Sequence, residues 1–396
     1  MVTRSWARVA AALFVIGYGA NQFSPLMVMY REQGHYSAAV VAAFFGVYVL
    51  GLAPGFLVGG PLSDRFGRRA VLLPAVVASV PASAGLALGA FSEGLLFTGR
   101  FLFGLVTGVA MAVGTTWVKE LSHAPHDPEA DPSAGARRAA LTLSAGFGVG
   151  PAVGGVLAQW APLPMELPYL VHIVLTLPVI VLLLRVPETV HGRGRGSLLA
   201  DLKVPAVAHP RFRRLVLPAA PWVFAGPALS FAVQPAALGA ERTAGYGLAF
   251  ATLLTAVTLG CGVAIQSVAR RLDARNPLLG NRIGVSLAVV GALVAAVTAA
   301  TGSLVVAVAA SAVLGASYGI LMVSGLVEVQ RIAAPEHLAG LTAVYYSLTY
   351  LGFLWPVVLA PVAGVLPYAT LLPVVAAIAA VCLLVLVLGG RGRVAG

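Results

Sequence analysis

The charged residues of this chain are few and grouped, and the grouping indicates what they can do. Gly60-Pro61-Leu62-Ser63-Asp64-Arg65-Phe66-Gly67-Arg68-Arg69 sets one carboxylate among three guanidiniums between two apolar runs. An apolar helix that meets such a cluster has to leave hydrocarbon there, because charge is costly inside it. Gly67 supplies the positive φ that a sharp reversal uses. Two readings follow. The cluster is a solvated turn that fixes topology, or it is a latch, since a carboxylate beside a helix end can pair with a neighbouring arginine or helix terminus and let go when the helices rock.

A second group of residues lies inside apolar runs. Arg100 is the only basic residue well within one, and a charge there costs at least about 2.5–3.5 kcal/mol on insertion scales, so it needs a partner or a route to the surface. Glu32, backbone carbonyls of the first span, and snorkelling to the interface are the three options. No Asp or Glu falls at the centre of a run. Proton exchange would therefore use Glu32, His172 or the surroundings of Arg100, and only the histidine has an ordinary pKa near neutrality. Asn21, Gln22, Trp222, Gln234, Tyr345, Tyr346 and Tyr350 are the polar or aromatic residues in otherwise apolar stretches that suit a substrate cavity for a lipophilic, neutral or weakly cationic ligand; the tyrosines equally suit packing between helices. His123, His126 and Asp127 share a Pro-rich loop without a fourth ligand, so no metal site is expected. Cys261 and Cys382 both sit in apolar runs and read as small buried hydrophobes.

The elements that must position these groups are membrane helices. Apolar residues make up 59% of the 396 residues and charged residues 10%, against roughly 45–50% and about 25% in soluble domains. A helix needs about 20 apolar residues to cross hydrocarbon. Twelve such runs occur, at 6–30, 38–60, 71–91, 95–118, 139–160, 167–185, 215–238, 248–268, 283–300, 303–327, 341–365 and 368–388. The ninth is the shortest and rich in Ala and Val. The first continues too far for a cleaved signal peptide and reads as an uncleaved span.

With both termini placed in the cytoplasm, the 25 Lys and Arg residues distribute asymmetrically: apart from Arg31, Arg242 and Arg100, the other 22 fall on cytoplasmic segments. That is the positive-inside pattern, and it explains the net charge of +11 without a nucleic-acid partner, since the arginines form no single basic face. Residues 187–214 form the longest stretch without an apolar run. They read as a linker between an N-terminal bundle (1–186) and a C-terminal bundle (215–396), with a flexible His191–Gly196 tract and a short interfacial element at Val204–Val207. Glu120, Ala124-Pro125 and Leu141-Thr142 are echoed by Glu328, Ala334-Pro335 and Leu341-Thr342, which supports duplication. Ala269-Arg270-Arg271-Leu272-Asp273 is a degenerate second copy of the basic turn.

These features resemble the major facilitator superfamily of secondary transporters. The Gly60–Arg69 segment is similar to its signature between helices 2 and 3. Arg100-x-x-x-Gly104-x-x-x-Gly108 is similar to its fourth-helix motif, and Pro187-Glu188-Thr189 to a tripeptide that follows helix 6. Gly146-x-x-x-Gly150-Pro151-x-x-Gly154-Gly155 in the fifth span resembles the motif of proton-linked drug exporters. The resemblance implies an all-α integral membrane protein of twelve helices in two pseudo-symmetric six-helix bundles, working by alternating access. It implies a cytoplasmic latch at Gly60, Asp64, Arg65, Gly67, Arg68 and Arg69, and a gating helix at Gly150, Pro151, Gly154 and Gly155. The expectation is therefore a monomeric inner-membrane transporter, neither an enzyme nor a holder of cofactor or metal, exporting a lipophilic or amphipathic compound against proton entry. The alternative is a uniporter or importer of an uncharged metabolite, which the missing intramembrane carboxylate keeps open.

Overall fold

A computed structural model describes residues 4–190, 204–334 and 338–391, and the regular structure among the described residues is helical. Eleven helices are long and apolar enough to cross a membrane, and a twelfth is a shorter apolar helix. In chain order they are α1 Ser5–Glu32, α2 Ala38–Phe66, α3 Arg68–Ala87, α4 Glu93–Glu120, α5 Ala134–Trp160, α6 Leu167–Leu183, α7 Phe212–Leu238, α8 Gly247–Arg275, α9 Leu279–Thr301, α10 Leu304–Ile332, α11 Leu338–Val362 and α12 Tyr368–Gly389. The twelve-helix expectation holds. The ninth helix, short as an apolar run, is a full-length span closed by Gly302 at φ 66.

The helices outlast their apolar runs at one end. α2 continues through the basic cluster to Phe66, so the signature is no loop: Gly67 alone, at φ 101, makes the turn into α3. α8 likewise reaches Arg275 in a polar final stretch that still buries Ala269 and Asp273, because a helix outside hydrocarbon needs only one buried stripe to persist. Five helices depart from regular geometry. α1 breaks at Gln22 and α8 at Ile265, wide π-turns occupy Ala110–Gly114 in α4 and Phe212–Val216 and Leu229–Val233 in α7, and α11 tightens to a 3-10 turn at Leu351–Leu354. Pro205–Ala208 forms the short turn expected near Val204–Val207. The His191–Gly196 tract lies outside the described residues.

By contact the chain divides into two compact units. The first comprises Met1–Leu26 and Val47–Lys203, the second Met27–Gly46 and Val204–Gly396. One boundary between the units falls at Lys203/Val204, and the far ends of α1 and α2 group with the C-terminal helices. Aromatic packing accounts for that: Phe45 meets Phe353 at 4.8 Å and Phe231 at 6.3 Å.

In the first unit α1 packs on α5 and α6, and α3 on α4 and α6, around Val9, Leu13, Ile16, Leu72, Val106 and Trp117. α2 and α4 approach backbone to backbone. A Cβ on Gly51 would fall on the Phe101 carbonyl, on Gly55 on that of Leu105, on Gly104 on that of Tyr48, and on Gly108 on that of Leu52. In the second unit α9 lies against α10 and α12, and α8 against α10, with Gly315 and Gly319 pressed on the Thr258 and Gly262 carbonyls. Small residues let helices meet this closely where lipid offers no hydrophobic incentive to associate. The outer faces stay apolar: Val374, Ile378, Val381 and Val385 form an exposed stripe along α12, which acyl chains cover in a bilayer.

Candidate functional site

The basic cluster is organised around Arg68 rather than Asp64. The Arg68 side chain is almost wholly covered, and its Nη2 reaches Glu120 Oε1 at the end of α4 at 2.7 Å. Its Nε bridges both Glu120 oxygens at 3.2 and 3.3 Å, and Nη1 binds Asp64 at 2.5 Å and Ser63 Oγ at 2.6 Å. Asp64 is an exposed partner one turn away, its side chain 66% exposed against 31% for Glu120. Thr189 Oγ1 donates to Glu120 Oε2 at 2.5 Å. Arg69 Nη1 donates to the Leu184 carbonyl, and Arg8 Nη1 to that of Arg185. Arg65 is half-buried nearby, and Gly60 has open space around it.

Glu188 completes the arrangement from the segment after α6. Its carboxylate accepts the backbone N–H groups of Arg68 at 2.8 Å and Arg69 at 3.0 Å, the first two residues of α3. A carboxylate from elsewhere in the chain thus caps a helix N-terminus, where orphan N–H groups and the helix dipole favour negative charge. Gly67 is needed twice, for its φ and because a Cβ there would lie 2.7 Å from Glu188 Oε2. Partial burial acts to raise the Glu188 pKa, but amides of Arg69, Arg68, Val190 and Thr189 outweigh it and hold the carboxyl below its ordinary value. A lowered folded-state pKa contributes stability above the unfolded pKa, near 4.3 for glutamate, and that stability disappears as pH falls through the folded value. Melting temperature is therefore expected to drop on acidification below about pH 4.5, and less steeply in Glu188→Gln. Equal slopes in the two proteins would remove Glu188 from the explanation.

Arg100, in α4, is 1% exposed, which excludes snorkelling. Its guanidinium lies 4.1 Å from the Phe23 ring centroid and 4.5 Å from that of Tyr48, with Nη1 3.4 Å from the Ala20 carbonyl just before the break in α1. Of the three options, a span-1 carbonyl holds, joined by two aromatic faces whose quadrupoles attract a desolvated cation. Glu32 belongs to the other unit and is exposed at the end of α1. His172 is fully buried, with Nδ1 2.8 Å from Ser83 Oγ and Nε2 3.2 Å from Thr176 Oγ1. Its ring stacks on Tyr18 and meets Phe103 edge-on. Hydroxyls can donate or accept, so both nitrogens are satisfied by a neutral imidazole.

The glycines of α5 face α1. A Cβ on Gly146 would strike the Phe14 carbonyl, on Gly150 that of Tyr18, and on Gly154 would lie 3.2 Å from Gln22 Cβ; Gly155 is buried as well. The helix runs unbroken through Pro151. Proline has no N–H, so the carbonyl four residues earlier, Phe147, loses its usual helical donor. Asn21 Nδ2 replaces it at 3.0 Å. Neighbouring side chains must re-satisfy such carbonyls when water is excluded. Asn21 thereby has a role in seating α5 on α1, beyond the cavity role its amide suggested. Asn21→Ala is expected to cost about 1–2 kcal/mol, and less in a Pro151→Ala background that restores the helical N–H. A double-mutant cycle with no coupling would refute the pairing.

The remaining cavity candidates are distributed between the units, and all but Gln22 are held by internal contacts. Gln22 is fully buried, and neither end of its amide has a hydrogen-bond partner among the described residues. In the second unit Gln234 Nε2 binds Ser311 Oγ at 3.0 Å, and Ser311 continues to Ser230 and Thr258. Tyr345 donates to the Leu321 carbonyl at 3.0 Å, with Tyr346 beside it at 5.7 Å between ring centroids. Tyr350 packs on Phe224 and Trp222 on Trp355. Tyr345 accordingly follows the packing reading. In the loop after α4, Asp127 pairs with Arg138 at 2.6 Å.

Sequence reasoning noted Glu120, Glu188 and Glu328 as motif or repeat markers and missed them as partners. Glu328, fully buried, binds Arg211 at 2.7 Å and Arg331 at 3.4 Å. The clue was the echo itself. The same glutamate ends α4 and α10, and each meets an arginine from a neighbouring helix end.

Twelve helices in two units, each closed at one end by a glutamate–arginine cluster, define an all-helical protein built to span a membrane. The chain belongs to the Major Facilitator Superfamily, whose family model matches residues 9–356. It is 31% identical over 125 residues to the facilitated glucose transporter member 8 of solute carrier family 2 from Bos taurus, covering 30% of this chain and 26% of that one. It is 36% identical over 158 residues to the 4-hydroxybenzoate transporter PcaK of Pseudomonas aeruginosa, covering 38% and 32%. The chain thus aligns with about a third or less of either relative. Among solved structures it resembles the nucleoside transporter NupG, at TM-score 0.74 and 12% identity over 99% of this chain and 100% of that one. It also resembles the POT family transporter PepTSo, at 0.77 and 13% over 98% of each. At such identities the likeness is one of fold.

Proposed function

We propose that this chain carries a small polar organic solute across the cytoplasmic membrane by facilitated transport or import, with both termini and the Arg68 cluster on the cytoplasmic face. One observation carries the reading. Every Asp or Glu of the described spans lies within about a turn of a helix end, and the interior ionisable groups, Arg100 and His172, are engaged by internal partners. A proton-driven exporter needs a group that takes up and releases a proton during the cycle, and this interior offers no carboxylate for it. The matched relatives, a glucose and a 4-hydroxybenzoate transporter by name, are consistent with a small polar solute. Proton-coupled efflux of an amphipathic compound is the second reading, favoured by the glycine pattern of α5.

The test is uptake into proteoliposomes of labelled glucose, uridine and benzoate, alongside a fluorescent lipophilic cation, with and without an imposed pH gradient. Saturable uptake of one polar solute, equilibrating without the gradient, is the expected result. Gradient-dependent movement of the lipophilic cation alone would reverse the assignment to efflux.

A further inference from the structure

Asp273 lies in the last turn of α8, beyond the apolar run 248–268, in the degenerate second copy of the basic turn. Its counterpart in the first copy, Asp64, is exposed and paired with Arg68. Asp273 is neither. It is 4% exposed, and neither of its carboxylate oxygens has a hydrogen-bond partner among the described residues. Asn281 of α9 and Ser324 of α10, each 2% exposed, also hold unpartnered polar atoms. The three helix ends meet closely. A Cβ on Gly280, in the first turn of α9, would fall on Ser324 Oγ and beside Asp273 Oδ1.

The cations near Asp273 are committed elsewhere. Arg211 and Arg331 hold the Glu328 carboxylate at 2.7 and 3.4 Å, and Arg331 Nη2 reaches the main-chain carbonyl of Asp273, at 3.4 Å, rather than its carboxylate. Arg282 of α9 turns to the Val387 carbonyl at 3.3 Å, and Arg270, Arg271 and Arg275 are exposed on α8 itself. Burial, the largest influence, acts with Glu328 against an ionised Asp273, while the Ser324 hydroxyl, Arg331 and the Gly280 N–H act for it. A carboxylate buried without an ion pair is costly and neutralises instead. A metal ion does not meet this need. Two side chains offer far fewer oxygens than a hard cation takes, and the N-terminal end of α9 and Arg331 repel it. A proton needs one acceptor, and Ser324 Oγ is uncommitted.

We propose that Asp273 is a proton-binding site that sets how tightly α8, α9 and α10 close on one another. With the proton on the carboxyl and Ser324 Oγ accepting it, the junction packs dry. When the O–H bond breaks and the proton passes to the adjoining water, the charge left behind draws water in and loosens the α8–α9 turn from α10. The closed junction binds the proton more tightly than the loosened one, so pH shifts the population between them. Stability from this group is therefore full below the ordinary aspartate value, about 3.9, and is lost as pH rises through the folded value.

The full chain in nanodiscs is titrated from about pH 5 to 8, above the ordinary aspartate range, by infrared difference spectroscopy with melting temperature alongside. The native chain is expected to show the C=O stretch of a protonated carboxylic acid that disappears as pH rises, and a melting temperature that falls over the same interval. Asp273→Asn, a neutral isostere, should lose that band and most of the slope. Ser324→Ala should keep the band and move it, because the acceptor is gone. Matching spectra of native and Asp273→Asn protein overturn the proposal, as does a melting slope common to both. If Asp273→Asn fails to fold, a band left unmoved by Ser324→Ala places the proton on another carboxyl and overturns it equally. None of these readouts needs a transported solute, so their failure would leave the transport reading standing.

Discussion

An Arg68→Ala variant is expected to lose most of its transport and to melt well below the native chain. The Arg68 side chain is 9% exposed and forms the centre of a cluster with Glu120, Asp64 and Ser63. Removing it leaves two carboxylates facing the space it filled. Breaking a fully buried ion pair costs about 3–5 kcal/mol, but Glu120 is about a third exposed, so roughly 2 kcal/mol is the better expectation after screening. The functional loss should exceed the loss of stability. The Arg68 side chain joins the end of α2, through Asp64 and Ser63, to the end of α4, through Glu120, which Thr189 ties in turn to the segment after α6. Arg68→Lys keeps the charge and loses the fork, and should fall in between. Asp64→Asn should slow turnover while sparing stability and ligand binding, because Asp64 is the solvated member of the cluster. Initial rates and melting temperatures of the three variants decide the matter. If Arg68→Ala transports normally, the cluster is only a topological anchor.

Gly104→Val is expected to produce the other large effect, on folding rather than on rate. The four glycines at the α2–α4 contact let each backbone occupy space that a side chain would take from the other. A Cβ on Gly104 would coincide with the Tyr48 carbonyl, which belongs to a helix and cannot swing aside as a flexible side-chain end could. Separating the helices would also disturb the ring of Tyr48 that covers Arg100. Overpacking of this kind costs roughly 3 kcal/mol or more, which for a membrane protein means low yield and a broad, early melting transition. Gly60→Ala, with nothing near its Cβ position, is the matched control and should be nearly silent. Native-like melting of Gly104→Val would show that the helices part easily, and the close-packing account of the fourth-helix motif would fail.

The expected exporter branch illustrates where a motif ceases to inform. The α5 glycines are present in the expected order, yet each of Gly146, Gly150 and Gly154 is accounted for by contact with α1, and the Gly-Pro pair by the Asn21–Phe147 bond. Small residues at helical spacing record that two helices are close. They say nothing about what passes between them.

What the sequence determined by itself was everything governed by the bilayer as a solvent. The number of spans, their approximate ends, the grouping of arginines and the family followed from run lengths and from the cost of charge in hydrocarbon, which are properties of short contiguous segments. Only the tertiary structure decided who meets whom. Arg68 finds Glu120 and, through its backbone, Glu188 at sequence separations of 52 and 120, and Arg100 finds a carbonyl and two rings. Such contacts rest on single polar side chains in helices that are apolar on every face, so no periodicity in the chain marks which face turns inward, and the partner is fixed only once the helices have packed.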